Sequence, residues 1–151
     1  MQLKSNNNMA DTKIQDSQMI APCGMDCRLC YAYQREKNHC PGCRMPDKDK
    51  MKSCISCSIK NCPKLKKINS RFCYDCDKFP CKRLKQLDKR YRGKYGMSML
   101  ANLELIGQKG MEEFIKAQDE KWSCRECANL LCVHKANCVN CNAVNQGIGK
   151  Y

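Results

Sequence analysis

Large apolar side chains are scarce in this chain: three Phe, one Trp and six Tyr stand among 151 residues, so the core it can build is thin. No apolar run approaches the roughly 18 residues of a membrane span, and the start, MQLKSNNNMADTKIQDSQMI, has no apolar stretch of the secretory kind. These absences predict a cytoplasmic protein without membrane association. Acidic residues are also few, 15 against 28 Lys and Arg. No paired carboxylates, Gly-rich phosphate loop or Ser-His-Asp arrangement stands out. Asp26, Asp75 and Asp77 lie between or beside cysteines and read as turn residues, so no catalytic residue is named and an enzyme is not expected.

Cysteine is what the chain has in excess, with sixteen residues, a share at which a short chain needs a covalent or metal staple. Disulfides are rare in a reducing cytosol, and the six C-x-x-C pairs would close loops too short to restrict the unfolded chain much. Metal ligation is the better explanation. It also rescales the charge: sixteen thiolates around four divalent zinc ions carry a net −8, which lowers the formal +13 to about +5.

The spacing C-x2-C-x4-C occurs three times, at Cys54, Cys57 and Cys62, at Cys73, Cys76 and Cys81, and at Cys124, Cys127 and Cys132. Two residues between thiolates allow a tight turn that brings both sulfurs to one ion. A second spacing overlaps it: Cys40, Cys43, Cys54 and Cys57 are arranged C-x2-C-x10-C-x2-C, and so are Cys124, Cys127, Cys138 and Cys141, as in a short zinc ribbon. If these eight form two sites, then Cys23, Cys27, Cys30, Cys62, Cys73, Cys76, Cys81 and Cys132 remain for two more. Four triplets, each borrowing one ligand from Cys40, Cys43, Cys138 or Cys141, divide the sixteen equally well. His134, in CVH, could replace a thiolate or stand behind one as a hydrogen-bond partner; His39 is merely adjacent to Cys40.

The expected fold is a small, metal-stapled, irregular α(+β) structure in which zinc-knuckle or ribbon-like lobes bracket about three short helices. Residues 1–20 read as a disordered leader, 21–81 as a cysteine-rich metal-binding lobe, 82–122 as a helical cluster and 123–151 as C-terminal knuckles and tail, with 21–141 forming one compact domain. In the first helix Leu84, Leu87 and Tyr91 share a face, and Gly93 and Gly96 end it. Ser98 caps a second helix through Leu100, Leu103 and Ile106, which the run 107–110 breaks. Met111, Phe114, Ile115, Gln118 and Trp122 form the apolar face of a third. These helices are expected to hold the one sizeable hydrophobic cluster.

Zinc and iron–sulfur clusters both take thiolates. The ferredoxin run C-x2-C-x2-C-x3-C-P is absent, and repeated pairs on short loops favour about four structural zinc ions, with iron–sulfur clusters as the alternative. The spacing of Cys23, Cys27 and Cys30 in CGMDCRLC matches that of radical enzymes that cleave S-adenosylmethionine, but the strand–helix repeats needed to enclose a radical are missing. The combination of APCGMDC, CPGC, the FCYDCDKFPCKRLKQLDKRYRGKYGMSMLANLE run and EKWSCRECANLLCVHKANCVNC resembles the cysteine-rich family known as domain of unknown function 3795, over about residues 21–141. That resemblance implies a zinc-binding protein and supplies no reaction.

The segment 60–94 carries thirteen Lys or Arg against three Asp. Much of that charge balances thiolates. It also offers a basic surface for RNA, with Lys82, Lys85, Lys89 and Arg92 as phosphate contacts and Tyr91 and Tyr95 for base stacking. The expected role is a binding or adaptor module for a protein partner, with electron transfer and RNA binding as the alternatives.

Overall fold

The structure, a computed structural model, describes residues 17–148. It is mostly helical. Three short helices, α1 (Tyr31–Gln34), α2 (Lys52–Ile55) and α3 (Pro63–Lys67), precede three longer ones, α4 (Lys82–Tyr95), α5 (Met99–Lys109) and α6 (Met111–Trp122), and single 3₁₀ turns lie at Cys27–Leu29 and Cys73–Asp75. Among the described residues, β-structure is limited to three isolated antiparallel bridges, Ile20 with Asp26, Ser123 with Leu130 and Asn137 with Val144. No helix among them is long and apolar enough to cross a membrane.

The three expected helices form where the apolar periodicity places them, but two of the expected stops do not act. Gly93 lies inside α4 and Gly107 inside α5. Both positions are open, with nothing within 4 Å of where a Cβ would sit. An interior glycine costs a helix only about 1 kcal/mol, less than burial of the flanking face returns. The glycines that end the helices are Gly96, at φ 64°, and Gly110, at φ 86°, left-handed positions where other residues are strained.

The α4–α5 corner is held by one carboxylate. Buried Asp88 accepts from Ser98 Oγ at 2.7 Å and from the Leu100 N–H at 3.1 Å, while its other oxygen pairs with Arg92. Ser98 Oγ in turn accepts from the Ala101 N–H at 3.1 Å, the N-cap bond that starts α5.

The hydrophobic cluster does not stop at the helices. Phe114 and Trp122 from α6, Leu84 from α4 and Leu103 from α5 pack in one continuous core with Ile20 and Leu29 from the N-terminal lobe and Leu131 and Val133 from the C-terminal one. Met19 and Ile20 are buried in it, so the polar leader expected over 1–20 does not extend to these two; its first sixteen residues lie outside the described ones. The lobes meet directly as well. The Val133 N–H donates to Leu29 O at 2.8 Å and Gln34 Nε2 to Leu131 O at 3.0 Å. Gly24 lets the N-terminal loop seat on α5: its φ is 89°, and a Cβ there would lie 3.0 Å from both Leu103 Cγ and Met99 O. Asn102 Nδ2 then donates to Gly24 O at 2.9 Å.

Trp122 is fully buried, and Gly147 lies against its ring so closely that a Cβ would come within 2.4 Å. Gly147→Ala therefore has to displace the C-terminal segment or the indole. The expected loss is about 1 to 3 kcal/mol, the usual cost of overpacking a core, read as a lower urea midpoint; an unchanged midpoint would contradict this packing.

Candidate metal centre

Residues 123–130 and 137–144 form two loops of the same construction. In the first, the Cys124 N–H donates to Asn129 O and the Ala128 N–H to Cys124 O, both at 2.8 Å. In the second, the Cys138 N–H donates to Ala143 O at 2.7 Å and the Asn142 N–H to Cys138 O at 3.0 Å. One antiparallel bridge closes each loop. In both, the residue after the second cysteine has a left-handed backbone, with φ 64° at Ala128 and at Asn142. That turn lets both sulfurs of a C-x-x-C pair face the same way.

The two loops meet at their sulfurs. Cys124, Cys127, Cys138 and Cys141 place all four Sγ atoms within 4.8 Å of one another. Cys124 and Cys141 are 3.6 Å apart, and Cys127 and Cys138 are 3.7 Å apart. Four thiolates at about 2.3 Å from a single ion, arranged tetrahedrally, stand about 3.8 Å from each other. The quartet thus has the dimensions of a one-ion site, and its four protein donors would complete the coordination of such an ion. Hydrogen bonds from the Asn140 side chain and the Asn129 backbone lower the Cys127 thiol to about 6, while its neighbour Cys141 is raised to about 12.

Asparagines support this corner, and nothing in the cysteine spacing points to them. Asn145 is buried and spans the segment, donating through Nδ2 to Cys132 O and Lys135 O, both at 2.9 Å, and accepting the Gly147 N–H at 2.9 Å. Asn137 Nδ2 donates to Asn142 O at 2.9 Å. The alternation in NCVNCNAVN is the only sequence signal for these roles.

The remaining sequence candidates are placed differently. Cys132 is buried but stands outside the quartet, so at this end of the chain the C-x2-C-x10-C-x2-C spacing assembles and the triplet ending at Cys132 does not. The identical spacing at Cys40, Cys43, Cys54 and Cys57 does not close in the same way. Cys43 shares a thiol hydrogen bond with Cys27, which raises Cys27 and lowers Cys43 to about 7. Burial raises Cys30 to about 11, with the charges of Cys54 and Cys40 adding to it. Cys23 is raised by burial and by the charges of Cys43, Cys73 and Cys57. Cys62, Cys73, Cys76 and Cys81 line a single small cavity, and burial followed by the charges of Cys81, Cys62 and Cys76 pushes Cys73 up to about 12. Among the described residues no second group of three or more His, Cys, Asp or Glu donors lies within 4.8 Å of one another.

His134 has both ring nitrogens engaged. Nδ1 accepts from the Tyr31 N–H at 3.2 Å, which leaves the proton on Nε2, 3.1 Å from Tyr91 Oη. Burial lowers its pKa and keeps the ring neutral. His39 Nδ1 lies 2.7 Å from Tyr33 O. Lys82, Lys85, Lys89 and Arg92 are exposed along α4, although Arg92 is committed to Asp88. Tyr91 and Tyr95 are turned inward: they pack edge to face with each other at 5.1 Å and with His134 at 5.7 and 4.9 Å. Their rings are not offered to a stacking base.

Together these observations define a small, mostly helical, cysteine-rich protein with a four-thiolate site able to hold a metal ion. Residues 19–86 match the family described as protein of unknown function (DUF3795), the same family that the sequence motifs resemble. The match ends inside α4, whereas the motif resemblance continues to Cys141, so the Cys124 quartet lies beyond the matched segment. No curated protein and no solved structure matches the chain.

A left-handed alanine costs roughly 1 to 2 kcal/mol, and glycine removes that strain. Ala128→Gly should therefore stabilise the metal-bound protein by about 1 kcal/mol, whereas Asn142→Gly should gain less because asparagine tolerates this backbone. Equal thermal shifts for the two variants would count against the shared loop geometry.

Proposed function

We propose that the protein is a noncatalytic binding module whose C-terminal corner is closed by one structural zinc ion on Cys124, Cys127, Cys138 and Cys141. The carrying observation is the size of the sulfur quartet, 3.6 and 3.7 Å across its two measured edges, against about 3.8 Å for tetrahedral thiolates around zinc. Zinc suits it because the donors are all sulfur and all four positions are filled. A catalytic zinc site keeps one position for water or substrate.

Binding of the ion displaces the thiol protons and fixes the two loops together. The loops carry Leu131 and Val133 into the core and hold Gly147 on Trp122, so ligation and packing are linked. Purified protein should contain zinc at this site, and Cys127→Ser and Cys138→Ser should each lower the zinc content by one ion per chain and lower the melting temperature. Full zinc retention in both variants would remove this assignment.

The partner proposed for the module is another protein. A second reading, binding of RNA, is favoured by the exposed cations of α4, with Lys82, Lys85 and Lys89 on its solvent side. Because Tyr91 and Tyr95 face His134, such binding would rest on phosphate contacts alone and would be indifferent to base sequence. Affinity for single-stranded RNA should then fall steeply with salt and weaken at least tenfold in Lys82→Gln/Lys85→Gln/Lys89→Gln, measured by fluorescence anisotropy. Arg92 is left intact in this test because it anchors Asp88. Unchanged affinity in the triple variant would exclude this surface.

A further inference from the structure

We infer that the cleft between α1 and the C-terminal lobe is a docking site for an acidic segment of a partner protein, anchored by one apolar side chain. The inference rests on the reading of this chain as a module for a protein partner, and it names where and by what chemistry that partner binds. The cleft is open to solvent and encloses about 490 Å³, within the roughly 300 to 1,000 Å³ of ligand-sized sites. Tyr31, Arg35 and Lys37 line it on one side, from α1 and the residues just after it, and Cys132 and Val139 line it on the other. Tyr31 is 45% exposed and Val139 59%. A single exposed apolar residue says little, but these two come from different lobes and line the same cleft.

The two walls are tied to each other before any occupant arrives. Gln34 Nε2, on α1, donates to Leu131 O, and the Tyr31 N–H donates to His134 Nδ1. Asn145 Nδ2 holds Cys132 O from behind. A preformed groove loses little conformational freedom on binding. Charge then selects the occupant. Arg35 and Lys37 face a single lining acid, Glu36, and Lys135 adds a third cation, its Nζ 4.4 Å from the centre of the Tyr31 ring. Carboxylates of a partner segment would meet these cations at the rim while its apolar side chain fills the space between Tyr31 and Val139. Nucleic acid suits the cleft less well, because Glu36 opposes a phosphate chain and Lys135 already lies over the Tyr31 ring. Val139 stands between Cys138 and Cys141 in the chain, so an ion in the quartet would also fix one wall of the cleft.

The test titrates the full chain, with zinc content and circular dichroism measured on every sample, against three fluorescein-labelled peptides read by anisotropy. Each peptide has a central phenylalanine, flanked on both sides by paired glutamates, serines or lysines. The glutamate peptide should bind best and lose affinity as salt rises, and the lysine peptide should bind worst. Tyr31→Ala and Val139→Ser should each weaken the glutamate peptide at least about fivefold, with zinc content and helicity unchanged. Lys37→Glu/Lys135→Glu should turn the preference toward the lysine peptide, a reversal that loss of structure does not produce. Unchanged affinity in either Tyr31→Ala or Val139→Ser would overturn the proposal. So would a wild-type protein that does not prefer the glutamate peptide, and tighter binding of oligouridine, weakened by the same substitutions, would assign the cleft to RNA instead. Failure of all three peptides to bind a zinc-containing chain would sink the docking site and leave the metal assignment standing. A zinc-free chain that binds the glutamate peptide would do the reverse.

Discussion

A cysteine inside a protein can be one of two very different groups, and this fold is organised around that ambiguity. As a thiol it is a small apolar side chain that packs well; as a thiolate it carries a charge whose burial is costly without a counter-ion. Cys27, Cys73, Cys124 and Cys138 are all part of the hydrophobic cluster, so a thin core gains mass from them as thiols. Burial pushes several of these groups up, Cys30 to about 11 and Cys73 to about 12. Without metal they stay protonated and merely fill space. Cys124 and Cys138 belong both to the core and to the quartet that could hold an ion, so there packing and ligation would occupy the same volume.

This constraint accounts for the length of the elements. Over residues 21–81 a cysteine appears too often for a long helix to run uninterrupted, and α1, α2 and α3 span only four, four and five residues. Over 82–122 there is no cysteine, and three longer helices form. The two regions are nevertheless one packed body. Backbone bonds such as Val133 N–H to Leu29 O join the lobes directly, and the helices are held between them.

The helices were legible in the sequence because their signals are local: the face of Phe114, Gln118 and Trp122, the cap at Ser98, the stop at Gly96. Gly93 and Gly107 misled because glycine composition alone does not say whether the backbone is left-handed, and the packing around them decided. The C-terminal quartet was one of two divisions that cysteine spacing allowed. Spacing could not select it, since Cys40, Cys43, Cys54 and Cys57 repeat it without closing. The difference lies in features with little sequence signature, the left-handed Ala128 and Asn142 and the asparagines that brace the loops. His134 was ambiguous for a related reason. Its partners, Tyr31 and Tyr91, come from distant segments of the chain.

The four sulfurs of the C-terminal site are not equally sheltered: Cys124 and Cys138 are buried, Cys127 is half-buried and Cys141 is exposed. The quartet is therefore most open to solvent at Cys141. However tightly an ion were held at equilibrium, its exchange would start at the sulfur that water and competing thiols reach most easily, Cys141. For an ion in this quartet, Cys124 and Cys138 would be the sheltered anchors and Cys141 the arm open to solvent, so affinity and exchange rate would depend on different residues.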